Sequence, residues 1–103
     1  MIVEIVTFDL PPGTGRAEAM TLYRQSAGKW LMNSDLVGKY YFLDEDRSVG
    51  GGVYLWRSRK AAAHWHGEAY RKMVASLYGS APRIEIFDAL IRVDPVAGQL
   101  KEF

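Results

Sequence analysis

The chain contains no cysteine. This absence excludes disulfides, thiolate nucleophiles and thiolate metal ligands, and it is typical of proteins in a reducing compartment. Long apolar runs are missing too, because Glu4 interrupts the hydrophobic N-terminal segment, and no basic residue precedes that segment. We therefore expect no signal peptide, no membrane span and a cytoplasmic location.

The chain also has no large excess of positive or negative charge. The 13 Lys and Arg residues are balanced by 12 Asp and Glu residues, and the net charge is +1. A surface that binds nucleic acid or an anionic membrane needs a cluster of basic side chains. We expect neither kind of partner.

Aromatic side chains are abundant, at 13% of 103 residues, with three Trp and six Tyr. Such residues line cores, interfaces or ligand pockets. A chain of this length has the size of one domain and buries only about two-thirds of its unfolded surface. We predict a single domain over residues 1–103 that benefits from a partner subunit.

The first half of the chain predicts three elements. A β-rich segment over residues 2–10 ends at Pro11-Pro12-Gly13, which cannot continue a strand. A helix then begins at the N-cap Thr14 and ends near residues 33–35. A second strand follows over residues 36–43. The apolar positions that recur at helical spacing are Met20, Tyr23, Ala27, Trp30 and Leu31.

The second half predicts a hairpin partner for strand two, a helix and a fourth strand. Strand three follows the polar turn at residues 44–48 and contains Gly50-Gly51-Gly52 before Val53-Tyr54-Leu55-Trp56. Ser58 caps a helical segment that Gly67 divides and Gly79 ends. Strand four spans residues 83–93, and residues 94–103 form a tail.

The predicted order is βαββαβ. Right-handed crossovers turn this order into an α+β, ferredoxin-like fold with a four-stranded antiparallel sheet and both helices on one face. Strands one and four are apolar on both faces, so the face without helices also needs a cover. The ten-residue tail is too short for that task, so we expect a homodimer packed sheet to sheet.

RNA-recognition domains share this order but place a basic residue and two aromatic residues on strand three. The corresponding positions here are Val49, Gly51 and Val53. This comparison again argues against nucleic-acid binding.

The glycines of strand three leave room on one face of the predicted sheet. By the period of two, Gly50 and Gly52 share a face with Tyr54 and Trp56. Glycines within a strand mark a bulge or the close approach of a ligand or another backbone. Two interpretations follow: a shelf for a flat ligand, or a gap that an aromatic side chain of a neighbouring element fills.

The segment His64-Trp65-His66 does not predict a metal site. Helical residues two positions apart point in nearly opposite directions, so both imidazoles cannot bind one ion. We expect Trp65 to pack in the core and the histidines to flank it. His66 precedes the Gly67 joint, where a pocket mouth would expose it as a general base.

Further candidate residues lie on strand two and at the end of helix one. Lys39 either extends to solvent from an edge strand or holds an anion or a carboxylate such as Asp88. Tyr40 and Tyr41 point to opposite faces, so one of them can join the shelf. Trp30 belongs to the inner stripe of helix one, and Asn33 is a cap or an amide that points into a pocket.

Several of these motifs together carry a family resemblance over nearly the whole chain, to about Val93. The chain resembles the YdhR-type monooxygenases of the dimeric α+β barrel superfamily. The matching segments are Lys39-Tyr40-Tyr41, Gly51-Gly52-Val53-Tyr54-Leu55-Trp56, Ser58 and Ile86-Phe87-Asp88.

The resemblance implies a homodimer whose two sheets face each other, with a pocket between sheet and helices in each subunit. It also implies oxygenase activity without metal, haem or flavin. We accordingly expect a cofactor-independent monooxygenase for a small, electron-rich aromatic molecule, with His66, Lys39 and Tyr54 as catalytic residues. The expected substrate-binding residues are Trp30, Asn33, Tyr41, Gly52, Trp56 and Trp65. The alternative function is a dimeric small-molecule-binding module without catalysis.

Overall fold

A computed structural model describes residues 1–103 and contains six strands and three helices. The strands are β1 (Ile2–Asp9), β2 (Leu36–Asp44), β3 (Val49–Trp56), β4 (Arg83–Asp88), β5 (Ile91–Asp94) and β6 (Gln99–Glu102). The helices are α1 (Arg16–Leu31), α2 (Arg59–Trp65) and α3 (Glu68–Tyr78). No helix combines the length and the hydropathy that a membrane span requires.

The main sheet has four antiparallel strands in the order β2-β3-β1-β4. Its register aligns Glu4 with Tyr54 across β1 and β3, and Tyr41 with Gly52 across β2 and β3. The predicted antiparallel sheet is therefore confirmed, and its central strands bring the glycines of β3 between residues of β1 and β2.

The helices cover one face of this sheet. Burial along β1 alternates, with Ile2, Glu4, Val6 and Phe8 buried on the helix side. Helix α1 lies against β2, α2 against β1 and β3, and α3 against β1. The buried hydrophobic core consists of Ile2, Val6, Phe8, Leu10, Ala19, Tyr23, Trp30, Tyr54, Trp56, Ala61, Ala62 and Val74.

The ends of the helices differ in part from the prediction. The N-cap of α1 is Gly15, whose N–H donates to the Glu18 carboxylate at 3.1 Å, while the Thr14 hydroxyl donates to the Pro11 carbonyl at 2.7 Å. Thr14 is thus held in the preceding turn and is not the cap. The Ser58 cap of α2 is confirmed, since its hydroxyl accepts from the Ala61 N–H at 3.1 Å.

The predicted inner stripe of α1 is only partly correct. Tyr23 and Trp30 are buried, but Met20 is 38% exposed and Leu31 is 86% exposed. Helix α1 lies mainly against the edge strand β2, so the sheet covers a narrower side of the helix than the spacing of its apolar residues suggests.

Strand four is shorter than predicted, and the tail is not irregular. β4 ends at Asp88, and the Ala89 N–H donates to the Met1 carbonyl at 3.1 Å. The chain then forms a separate hairpin of β5 and β6. Its turn contains Gly98 at a φ of 65°, a left-handed conformation that favours glycine.

The face of the sheet opposite the helices is apolar in β1 and β3. The cross-strand pairs Val3–Leu55 and Ile5–Val53 lie on that face and are half-buried. In β4 the prediction of two apolar faces is wrong, because Arg83 and Glu85 alternate with the half-buried Ile84 and Ile86.

Candidate functional site

A cavity of about 340 Å³ lies between α1, α3 and the helix-covered face of the sheet. Its wall combines aromatic rings with two lysines and a few hydroxyl or amide groups. The ionisable and aromatic lining residues include Tyr23, Lys29, Trp30, Lys39, Tyr41, Tyr54, Tyr70 and Tyr78. A cavity of this size and chemistry suits a small aromatic molecule.

Lys39 is the principal charged group of this cavity. Its ε-amine lies 3.6 Å from the ring centroid of Tyr41, 4.3 Å from that of Tyr54 and 4.8 Å from that of Trp30. No carboxylate lies within ion-pair distance of it. Burial, and secondarily the charge of Lys29, lowers the pKa of Lys39 to about 7.

The position of Lys39 depends on Gly52. A Cβ atom at Gly52 would lie 3.0 Å from Cε of Lys39, so the missing side chain leaves room for the lysine stem. The solvent interpretation of Lys39 is therefore wrong, and so is the pairing with Asp88, which instead accepts from Arg59 at 3.1 Å. Lys39 points inward because it aligns with Tyr54 on the helix side of the sheet.

The gap at Gly50 is filled by Tyr23 of α1, whose hydroxyl occupies the space that a Cβ atom would need. This hydroxyl donates to the Phe42 carbonyl at 2.9 Å and accepts from the Gly51 N–H at 3.1 Å. Of the two interpretations of the glycines, the filling by a neighbouring aromatic is the correct one here.

Tyr41 continues the aromatic wall beside Tyr23. The two rings stack with centroids 4.5 Å apart, and the Tyr41 hydroxyl hydrogen-bonds to the Ser26 hydroxyl at 2.6 Å. Tyr40 points away from the helices and is 79% exposed, as the alternation predicts. Tyr41 is therefore the tyrosine that joins the site.

Beneath the cavity lies a buried polar cluster of Glu4, His66 and Trp56. The exposed fractions are 1% for Glu4, 4% for His66 and 0% for Trp56. Oε1 of Glu4 accepts from the Trp56 indole N–H at 3.0 Å and from Nδ1 of His66. Because a carboxylate accepts, Nδ1 carries the hydrogen and Nε2 is the basic nitrogen of the neutral ring.

Aromatic rings surround His66. Tyr70 stacks on it at 3.9 Å, and Tyr54 meets it edge-on at 4.4 Å between centroids. Burial lowers the pKa of His66, although the hydrogen bond and charge of Glu4 act in the opposite direction. Nε2 of His66 and Oε2 of Glu4 are both buried without a hydrogen-bond partner.

His66 is consequently not at a pocket mouth, which corrects its expected position. Tyr54 and Tyr70 line the cavity and also contact the imidazole, so one aromatic layer separates His66 from the cavity. Burial is the largest cause that raises the pKa of Tyr54 far above its usual range and that of Tyr70 to about 12. Both hydroxyls are thus neutral and able to donate hydrogen bonds at neutral pH.

Glu4 is the functional candidate that sequence reasoning missed. The period of two places this carboxylate between Ile2 and Val6 on the buried face of β1, and that signal was available in the sequence. Its partner His66 comes from the end of α2, 62 positions away. Only the fold brings the two together.

Four expected binding residues do not line the cavity: Asn33, Gly52, Trp56 and Trp65. The stem of Lys39 covers Gly52, and Trp56 belongs to the buried cluster with Glu4. Oδ1 of Asn33 accepts from the Asp35 N–H at 2.9 Å, so Asn33 forms the turn that follows α1, whose C-cap is Met32. Trp65 is 38% exposed, and its indole N–H donates to Asp35 at 3.0 Å, so the expectation that it packs in the core is wrong. Helix α2 turns Ala61 and Ala62 inward instead.

The two histidines of the His64-Trp65-His66 segment point apart, since His64 is exposed and His66 is buried. No group of three or more His, Asp or Glu residues is arranged to hold a metal ion. A second concavity of about 650 Å³ lies along α1 and the β2 edge. It contains neither lysine and none of Trp30, Tyr54 and Tyr70, so the smaller cavity is the better candidate site.

No family model and no curated protein matches the chain. Among solved structures, the chain is similar to the NE2512 protein of unknown function from Nitrosomonas europaea. The TM-score is 0.67 at 21% sequence identity, over 92% of this chain and 94% of the other. The similarity supports the compact α+β fold.

Proposed function

We propose that this protein is a cofactor-independent monooxygenase that acts on a small, electron-rich aromatic molecule in the cavity between sheet and helices. The observation that carries the proposal is the unpaired amine of Lys39 above the rings of Tyr41 and Tyr54. A charged Lys39 without a carboxylate partner is a site for an anionic oxygen of the substrate. The aromatic walls provide the dry surroundings that strengthen this attraction.

The proposed reaction uses dioxygen as oxidant and the substrate as the sole reductant. A phenolic substrate loses its proton, and the resulting anion, held by Lys39, donates electrons to dioxygen. The substrate also carries a ring methylene, as anthrone-type compounds do. This methylene is oxidised to a carbonyl, which supplies four electrons. One oxygen atom enters the product, and the other leaves as water with the two methylene hydrogens.

In this proposal the Glu4–His66 pair accepts the phenolic proton indirectly. His66 does not line the cavity, whereas Tyr54 and Tyr70 contact both the cavity and the imidazole. No hydroxyl is hydrogen-bonded to Nε2 of His66 in this structure, so the transfer requires a rearrangement that brings the hydroxyl of Tyr54 or Tyr70 to Nε2. That hydroxyl then takes the substrate proton at its oxygen and releases its own to Nε2. Glu4 fixes the ring so that Nε2 is the acceptor. His66, Tyr54 and Lys39 thus retain their expected catalytic roles, with His66 one residue further from the substrate.

Oxygen consumption tests this function. A panel of polyphenols and anthrone-type compounds is screened, and the best substrate is compared in the wild type, Lys39→Met, Tyr54→Phe and Lys60→Met, the last being an exposed control on α2. We expect losses of about 10²-fold in the first two variants, in line with the removal of one electrostatic or proton-transfer group. Unchanged turnover in both would contradict the assigned roles.

The second candidate function is a small-molecule-binding module without catalysis. It is favoured by the same burial of Glu4 and His66, which keeps the basic nitrogen away from direct contact with a ligand. Ligands that raise the melting temperature but consume no oxygen, with retention lost in Lys39→Met, would support this function over the first.

We further propose that the chain is a YdhR-type protein with a ferredoxin-like arrangement and that two copies form a dimeric α+β barrel. Two uncovered apolar surfaces support the assembly. One is the sheet face with Val3, Ile5, Val53 and Leu55, and the other is one face of the β5–β6 hairpin with Ile91, Val93 and Leu100, which are 59%, 65% and 73% exposed. A second copy of the chain can cover both.

Native mass spectrometry tests the assembly and reports any retained small molecule. We expect a dimer in the wild type and a shift to monomer in Val53→Lys, with Arg92→Lys on the polar face of the hairpin as the control. A monomer mass for the wild type at micromolar concentration would refute the barrel. The cytoplasmic location stays a prediction.

A further inference from the structure

Two lysine amines share one aromatic platform in the cavity. Nζ of Lys29 lies 4.7 Å from the ring centroid of Trp30, and Nζ of Lys39 lies 4.8 Å from it. Lys29 is exposed, whereas Lys39 is half-buried among the rings of Trp30, Tyr41 and Tyr54. Proximity to a second cation and enclosure by apolar walls are the two conditions that make a lysine amine nucleophilic.

We propose that Lys39 is a nucleophile that captures small aldehydes or ketones with an aromatic or apolar body as an imine inside this cavity. This activity goes beyond the proposed oxygenase, although it depends on the same cavity. A substrate anion would keep Lys39 protonated, whereas a neutral carbonyl compound would meet the free amine.

The groups that face Lys39 support this chemistry. The titratable groups that share the cavity lining with Lys39 are Lys29 and Tyr23 of α1, Tyr41 of β2, Tyr54 of β3, and Tyr70 and Tyr78 of α3. His66, which follows α2, and Glu4 of β1 lie beneath Tyr54 and Tyr70. With the pKa of Lys39 lowered to about 7, a large fraction of the amine is free at neutral pH.

The reaction involves no net oxidation. The nitrogen lone pair of Lys39 attacks the carbonyl carbon, a C–N bond forms, and the carbonyl π electrons move to oxygen. One amine proton is transferred to that oxygen, which gives a carbinolamine. The C–O bond then breaks and the second amine proton leaves with the hydroxide as water, so that amine and carbonyl yield imine and one water molecule. Tyr54 and Tyr70 line the same cavity, and their neutral hydroxyls can exchange these protons.

The cavity determines the class of carbonyl compound. Its volume of about 340 Å³ accommodates a small aromatic body that carries a carbonyl group. The rings of Tyr41 and Tyr54 offer flat faces beside the amine, and Gln25 and Ser26 supply polar groups at the wall. A neutral aromatic aldehyde such as 4-methoxybenzaldehyde is therefore a suitable probe.

The test is reductive trapping. The full chain is incubated with 4-methoxybenzaldehyde and sodium cyanoborohydride near neutral pH, and modified lysines are identified by intact mass and peptide mass spectrometry. We expect Lys39 to be labelled at least about tenfold faster than the exposed Lys60, because the free amine is the reactive form. Labelling of Lys39 at or below the rate of Lys60 would overturn the proposal.

Two variants make the result specific. Lys39→Arg retains a cation but no amine nucleophile, so the fast-labelled adduct should be lost while the circular dichroism spectrum is unchanged. Lys29→Met removes the neighbouring charge and should slow Lys39 labelling at pH 7, with a smaller effect at pH 9. Equal labelling of Lys39 in wild type and Lys29→Met at pH 7 would also contradict the proposal.

The same protein preparations show whether imine formation and oxygen consumption occur independently of each other. Oxygen consumption is measured with the phenolic substrate in the absence of the aldehyde. Oxygen uptake without selective labelling refutes the imine and leaves the oxygenase intact. Selective labelling without oxygen uptake supports the imine and refutes the oxygenase.

Discussion

Nδ1 of His66 donates a hydrogen bond to the Glu4 carboxylate in the interior of the protein, where the exposed fractions of the two residues are 4% and 1%. The same carboxylate accepts from the Trp56 indole N–H at 3.0 Å. Glu4 thus satisfies two buried donors on different elements. Below it lies β1, and above the imidazole lie the two tyrosines of the cavity floor.

Replacing Glu4 by alanine should destabilise the protein strongly. The change leaves the donors of His66 and Trp56 buried without an acceptor, and we expect a loss of roughly 2–5 kcal/mol in the free energy of unfolding. Urea denaturation measures it. Glu68→Ala, at an exposed position of α3 on the helix side of the sheet, is the control, with an expected change within about 1 kcal/mol. Equal effects of the two substitutions would show that Glu4 has no special structural role.

His66 should remain neutral at pH values where an ordinary imidazole is protonated. Burial lowers its pKa below the reference value of 6.5. On acidification through 6.5 the unfolded chain binds a proton and the native state does not, so stability falls in this window. NMR titration of the ring should show the Nδ1–H tautomer at pH 6.5, and a protonated His66 at that pH would be inconsistent with its environment.

Gly51→Ala should disrupt the pairing of β3 with β1. Gly51 has a φ of 156°, and a Cβ atom there would collide with the Val6 carbonyl and lie 2.8 Å from the Phe42 ring. A forced backbone shift in the central sheet should cost about 2–4 kcal/mol of stability. Gly38→Ala on β2 is the matched control, because a Cβ atom at Gly38 has no neighbour within 4 Å. Thermal denaturation of both variants decides the matter, and equal melting temperatures would argue against the close approach.

Tyr23→Phe should leave the Gly51 N–H without an acceptor. The lost hydroxyl bridges that donor and the Phe42 carbonyl, and a buried unsatisfied donor costs about 1–3 kcal/mol. Tyr40→Phe, at a tyrosine that is 79% exposed, is expected to be neutral. Denaturation curves for the two phenylalanine variants should therefore separate, and superimposable curves would refute the bridging role.

Lys39 should make stability depend on alkaline pH. Its pKa falls from 10.5 to about 7 on folding, so between these values the native state has released a proton that the unfolded chain still binds. Stability contributed by this residue therefore rises from pH 7 toward 10.5. Urea unfolding at pH 7 and pH 9 should show this rise in the wild type and in Lys60→Met but not in Lys39→Met. An equal pH dependence in all three proteins would contradict the burial of the amine.

Much of the architecture was predictable from local patterns. The alternation in β1, the triple glycine of β3, the Ser58 cap and the joint at Gly67 all predict their elements correctly. The break after Asp88 was not predictable, because the apolar residues that follow are as compatible with one long strand as with two short ones. The Ala89 N–H makes the last backbone hydrogen bond between this segment and β1, to the Met1 carbonyl, and the sequence does not encode that distant contact locally.

The sequence predicted which residue types form the candidate site better than it predicted where each side chain lies. Lys39, Tyr41, Tyr54 and Trp30 do line one cavity. Asn33 and Trp65 do not, because both hydrogen-bond to Asp35 instead. Gly52 and Trp56 do not either, because Lys39 covers the glycine and the indole lies in the buried cluster with Glu4.

The sequence by itself determined the periodicities, the positions where only glycine fits, and the set of aromatic and ionisable side chains that faces the helices. These properties depend on residues a few positions apart in the chain, because local backbone sterics and the alternation of side chains along a strand set them. Only the tertiary structure determined that Glu4 hydrogen-bonds to His66 and that the Tyr23 hydroxyl occupies the space beside Gly50. The same holds for the partial desolvation of the Lys39 amine. Each of these depends on the packing of distant segments, since desolvation and hydrogen bonding are properties of the folded environment and not of the residue.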